Sequence, residues 1–181
     1  TLLLEFGTLA RLTGKDIFYD RAKRALVALF DRRSRIGLVG EEIDVETGAW
    51  VSRTSHLGGG MDSYYEYLLK CERLFGDQDC GRMWRESRRA LDRYLADEEA
   101  TGLWYGEADM RTGRRTATTY GALHAFLPSV LALGGDLRRA RRRAPVQLHR
   151  ARRSDHRQRA RALRHRRGGD RRGVAARRRG Q

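Results

Sequence analysis

Two carboxylates, Asp62 and Glu66, stand four residues apart in the stretch GGGMDSYYEYLLK, Gly58 to Lys70, among Tyr64, Tyr65 and Tyr67. A separation of i to i+4 puts both acids on one helical face. Acids beside aromatic rings suit glycoside cleavage, which needs carboxyl groups around a glycosidic bond and apolar ring faces to hold the sugar. The same residues have a structural reading, in which Asp62 caps the helix and Glu66 pairs with Lys70 on a solvated face. Spacing alone favours the structural reading.

The helix that carries these acids must be positioned by its neighbours, and the chain reads as a series of helical hairpins. Leu3, Leu4, Phe6, Leu9 and Leu12 recur at helical intervals before Gly14, predicting a buried helix over residues 1–12 with Glu5 in its apolar half. Lys15 to Arg33 predicts a second helix, with Ile17, Phe18, Ala22, Ala25, Leu26, Leu29 and Phe30 facing inward. The tight LTG turn between them makes an αα-hairpin. Ile43, Val45 and Trp50 around Glu-Thr-Gly predict a small β-hairpin. Further helices are expected over 79–95 and 120–133, the second bent by Pro128, with another short hairpin or extended pair over 102–114 between them.

An internal repeat organises these pieces. RLTGKDIFYDRAKRAL at Arg11–Leu26 is echoed by RLFGDQDCGRMWRESRRAL at Arg73–Leu91, and LGGD at Leu133–Asp136 opens a third copy. Helical hairpins that cannot bury their apolar faces alone must stack, as an open solenoid or a closed ring. A closed ring gathers the hairpin loops at one end, where a site can form.

The net charge of +15 is unevenly placed. Residues 1–136 hold 19 Lys and Arg against 21 Asp and Glu, whereas 137–181 hold 19 Arg against 2 Asp and contain no Phe, Tyr, Trp, Ile, Met, Lys or Glu. Nothing in that second stretch builds a core, so a disordered Arg-rich tail is expected there. Clustered arginines can bind nucleic acid or anionic lipid. The residue set, however, is what GC-rich codons yield out of frame, which makes nucleic acid an unlikely partner. No apolar run reaches the roughly 18 residues of a membrane span. The opening TLLL, with no Met and a helix under way, reads as an internal piece of a longer protein and leaves localisation open. Cys71 and Cys80 match no metal spacing and decide nothing about redox compartment.

LLLEFGTLARLTG, GLVGEEIDVETGAWV, GGGMDSYYEYLLK, GLWYGEADM and AFLPSVLALGGD, in that order, resemble glycoside hydrolase family 47, the class I α-1,2-mannosidases, over about 1–136. The likeness is closer to the ER degradation-enhancing mannosidase-like branch, because Gly60 stands where the trimming enzymes tend to have arginine. The resemblance implies an all-α fold, a fragment of an (α/α)7 toroid with small β-hairpins in its loops. It also implies inverting hydrolysis of terminal α-1,2-linked mannose in an oligosaccharide or glycoprotein, and a calcium ion at the barrel floor. Matched by motif, Asp62 falls in the catalytic acid set, and Glu5 and Glu66 line the mannose and calcium-water pocket.

The family's general-acid glutamate lies upstream of a point like Thr1. Its further glutamates and the threonine that holds calcium lie downstream of Asp136, so no metal ligand is assigned here. Inverting hydrolysis needs two carboxyl groups about 6.5–9.5 Å apart, and Asp62 and Glu66 on one helical turn are too close to fill both roles across a sugar. The chain by itself is therefore expected to lack turnover. A mannose-binding or glycoprotein-binding module without catalysis is the alternative.

Overall fold

The echoed turns fold alike in a computed structural model, which describes residues 2–99 and 102–142. Helix α1 (Leu3–Thr13) ends at Gly14 with φ 67°, and α3 (Asp62–Phe75) ends at Gly76 with φ 74°. Glycine adopts this left-handed conformation without a Cβ clash and so stops both helices cleanly. Helices α2 (Ile17–Asp31) and α4 (Gln78–Tyr94) run back alongside them, giving two αα-hairpins. Helix α1 packs on α3 as well as on α2, so the hairpins stack as the repeat requires.

Helix α3 is the keel of the core. It buries Tyr64, Tyr65, Leu68, Leu69 and Cys71, against Met83, Trp84 and Leu91 of α4 and Leu127, Val130 and Leu131 of a later helix. Each such apolar side chain contributes about 1.5–3 kcal/mol. The solvated Glu66–Lys70 pair on the same helix contributes about 0.3–0.5 kcal/mol, so packing and not charge fixes where α3 sits.

Two expected faces differ from the observed ones. Helix α1 buries Leu3, Gly7 and Ala10, while Leu9 is exposed and Leu12 is 81% exposed. Gly7 sets this face because the Phe75 ring occupies the space of its missing Cβ, whose nearest contact would be 2.4 Å. On α2, Leu26 and Phe30 are buried, but Ile17 is 52% exposed and Ala25 is exposed.

The loops carry the strands. Strands β1 (Glu42–Ile43) and β2 (Trp50–Ser52) pair antiparallel as expected, around a turn in which Asp44 Oδ1 accepts the Glu46 and Thr47 amides. Strand β3 (Thr54–Ser55) joins β6 (Glu107–Asp109) and β7 (Arg115–Ala117) in one small sheet, and β4 (Ala96–Glu99) pairs with β5 (Gly102–Tyr105). The short hairpin or extended pair expected over 102–114 is thus divided between two sheets. The β3–β6 pairing ties the stretch just before the glycine run to the loop region that follows α4.

The expected bent helix over 120–133 is a 3-10 turn, Ala122–Phe126, followed by α5 (Leu127–Leu133). Pro128 stands in the first turn of α5, where its missing N–H costs nothing, and begins the helix instead of bending it. After α5, Asp136 Oδ1 accepts the Arg139 amide at 3.1 Å, and residues 137–142 are helical. The third copy therefore continues past Asp136: an N-cap and a run of Leu, Arg and Ala suffice to start a helix. Ala140 is buried there, and Arg139 pairs with Asp92 and Asp136. The rest of the Arg-rich tail lies outside the described residues. Among the described residues no helix is long and apolar enough to cross a membrane.

Candidate active site

Asp62 is placed by the glycine run. Gly60 takes φ 92°, and the Gly58 carbonyl accepts the Met61 and Asp62 amides at 3.1 and 3.0 Å, turning the chain into α3. Met61 occupies the N-cap position and makes no side-chain cap bond; Asp62 is the first helical residue. Its Oδ1 accepts the Ser63 amide at 2.8 Å and lies 3.5 Å from Ser63 Oγ. Oδ2 receives no hydrogen bond or ion pair among the described residues. The side chain is half-buried, and the capping role expected of it is not the one it has.

Glu66, one turn on, pairs with Lys70 Nζ at 2.6 Å, as the structural reading expects. Glu5 stands in the first turn of α1, where its Oε1 accepts the Tyr67 hydroxyl at 2.6 Å. That hydrogen bond holds the Glu5 carboxyl below the ordinary carboxylate range. The same bond, then burial and the charges of Glu5 and Glu66, push the Tyr67 phenol up to about 12. The structure thus sets Glu5 and Glu66 around one tyrosine, with Asp62 a turn away on the same helix. Sequence reasoning groups Tyr67 with Tyr64 and Tyr65 as ring faces for a sugar; Tyr64 and Tyr65 are buried in the core, and Tyr67 bonds Glu5. It lies 62 positions from Glu5 in the chain, and nothing short of the packing of α1 on α3 reveals the contact.

A calcium ion takes oxygen ligands, and among the described residues no three Asp, Glu or His side chains converge on one point. The group of His, Cys, Asp and Glu side chains that converges is Cys71, Asp77 and Cys80, with ligand atoms within 4.8 Å of one another. Two of those are sulfurs, and they are joined in a disulfide with Cα atoms 5.8 Å apart. A cleft of 650 Å³ bordered by Arg33, Arg35, Glu86, Arg89 and Arg93 contains none of the three acids.

The model of glycosyl hydrolase family 47 matches residues 1–165. The chain is similar to alpha-mannosidase I MNS5 of Arabidopsis thaliana, with 42% identity over 137 residues, 76% of this chain and 23% of that one. It is similar to the ER degradation-enhancing alpha-mannosidase-like protein 2 of Homo sapiens, with 39% identity over 78% of this chain and 24% of that one. To the mannosyl-oligosaccharide 1,2-alpha-mannosidase of Candida albicans the identity is 33%, over 74% of this chain and 24% of that one. The chain therefore spans about a quarter of the length of these relatives. In structure it resembles the alpha-1,2-mannosidase from Trichoderma reesei, with a TM-score of 0.61 over 81% of this chain and 31% of that one, at 21% identity. That likeness supports the expected fold, part of an α/α barrel. The ordered motifs, the stacked αα-hairpins and the family match agree, and the chain belongs to glycosyl hydrolase family 47.

Proposed function

We propose that the chain carries part of the active site of an inverting α-1,2-mannosidase, with Asp62 in the catalytic acid set and Glu5 and Glu66 lining the sugar pocket. The observation that supports this most is the open Oδ2 of Asp62 at the start of α3. A carboxylate oxygen with no protein donor can accept a proton from water or a sugar hydroxyl. Tyr67 donates its hydroxyl to one oxygen of Glu5, which orients that carboxylate and leaves its second oxygen for a hydroxyl of the ligand. Glu66 is steadied by Lys70 in the same way. The ligand is the terminal mannose of an oligosaccharide or glycoprotein.

Inverting hydrolysis needs one acid to protonate the leaving oxygen and one base to activate water, about 6.5–9.5 Å apart. Asp62 and Glu66 share one helical turn, so this chain alone holds a mannoside without cleaving it. Calcium dependence is proposed for the whole family enzyme alone. The test is incubation of the 181-residue chain with an α-1,2-linked mannose disaccharide and calcium, with saturation-transfer NMR on the same sample. Transfer to the mannoside without release of mannose is the expected result. Release at an ordinary enzymatic rate refutes the partial site, and absence of any transfer refutes the pocket.

A further inference from the structure

His56 directly follows β3, is 8% exposed, and lies six residues before Asp62. Its Nδ1 accepts the Gly58 amide at 2.9 Å. The other ring nitrogen, Nε2, lies 3.5 Å from Glu41 Oε1. On its other side, Gly58 accepts the Met61 and Asp62 amides through its carbonyl. One glycine thus passes a hydrogen-bonded connection from an imidazole to the backbone of the acid.

The loop is closed from above by the Ala122–Phe126 turn. A Cβ on Gly58 would lie 2.8 Å from His124 Cε1 and 3.2 Å from His56 Nδ1, and a Cβ on Gly59 would lie 2.7 Å from Leu123 Cδ1. His124 is 5% exposed and packs at a tilt against Tyr120, with ring centroids 4.6 Å apart, and Tyr120 meets Trp104 edge-on at 5.0 Å. Gly58 is glycine for room between two imidazoles, whereas Gly60 is glycine for its positive φ. The Asp62 carboxylate has only Ser63 to hold it among the described residues, so its aim depends on the backbone beneath it. Placement errors near 1 Å matter at such sites.

We propose that His56 is a positioning residue for Asp62, acting through Gly58, with the Ala122–Phe126 turn as the other jaw of the clamp. This rests on the reading of Asp62 given above. The test compares His56→Ala with His56→Asn in the full chain, because Asn keeps an acceptor near the place of Nδ1. Amide exchange at Gly58 and Asp62, and the carboxyl carbon shift of Asp62, are read by NMR beside the melting temperature. His56→Ala is expected to speed exchange at both amides about tenfold and to move the Asp62 carboxyl signal, and His56→Asn is expected to restore both.

A uniform rise in exchange that includes α4, or an Asn variant that behaves like Ala, overturns the proposal. Should His56→Ala not fold, Leu123→Ala opens the clamp from the other jaw at a residue that is 58% exposed. Faster exchange at Gly58 and Asp62 is then expected, and unchanged exchange at both overturns the proposal. Mannoside titration of the wild-type chain is recorded separately. Its failure counts against the mannosidase reading and leaves the exchange result standing.

Discussion

Asp62 and Asp77 stand at the starts of consecutive helices, and they differ in what reaches their carboxylates. Asp77 is the N-cap of α4: its Oδ1 accepts the Asp79 and Cys80 amides, and its Oδ2 accepts the Tyr19 hydroxyl and Lys23 Nζ from α2. Burial pushes the Asp77 carboxyl up, but Lys23, Tyr19 and the Cys80 amide outweigh it and hold the group below the ordinary carboxylate range. The Cys71–Cys80 disulfide closes the same corner, and Tyr19 packs edge-on to Phe75 at 5.3 Å. Asp62 has one neighbouring amide and the adjacent serine hydroxyl. A saturated acid has no lone pair left for a ligand, and an under-used one does. The two ends of α3 are therefore built for different work: one joins hairpins, and the other presents a carboxylate.

The largest expected effect follows from removing the saturated acid. Asp77→Ala deletes a cap and leaves Lys23 and Tyr19 without their partner, a loss of about 3 kcal/mol. Asp62→Ala, at a position that caps nothing, should cost under about 1 kcal/mol. Urea unfolding of the two variants side by side sharpens the contrast, and equal losses would remove it.

Next comes the disulfide at the joining end. Replacing Cys71 and Cys80 with serine together releases a short loop and is expected to cost about 2–3 kcal/mol. Thermal melts of the double variant and of the reduced wild type should agree. A variant as stable as the oxidised protein would mean that the Asp77 network holds this corner alone.

The smallest effect lies at the presenting end. Tyr67→Phe removes the hydrogen bond that depresses Glu5, so the Glu5 carboxyl should rise toward its ordinary value of 4.5 in a carbon-detected titration. A depressed folded value stabilises the protein above the unfolded value, and that contribution is lost as pH falls through the folded one. The wild type should therefore lose stability on acidification below about 4.5 more steeply than the variant does. Superimposable titrations of Glu5 in the two proteins would show that Tyr67 does not govern it.

The hairpins and the face shared by the acids were legible in the residues. The i to i+4 spacing set Asp62 and Glu66 on one face, and Gly14 and Gly76 marked both hairpin turns. Other features depend on contacts that spacing does not encode. Periodicity finds an apolar stripe on α1 but not which part of it meets a neighbour, so Leu9 and Leu12 looked as buried as Leu3. Both aspartates follow glycine-containing turns, and the N-cap position of Asp77 together with the approach of α2 separates the saturated one from the open one. The disulfide needs the close return of α4 on α3, which two cysteines nine residues apart do not announce. His56 carries its role through a bond to a glycine amide, and histidine has no sequence pattern for that.

The most direct measurement is the affinity of the chain for an α-1,2-linked mannoside in the wild type and in Asp62→Asn, with the melting temperature recorded for each. Binding should weaken at least about tenfold, while the melting temperature stays within about 2 °C of the wild type. Affinity unchanged by the substitution, or lost only in step with stability, would contradict the assignment of Asp62 to a sugar site.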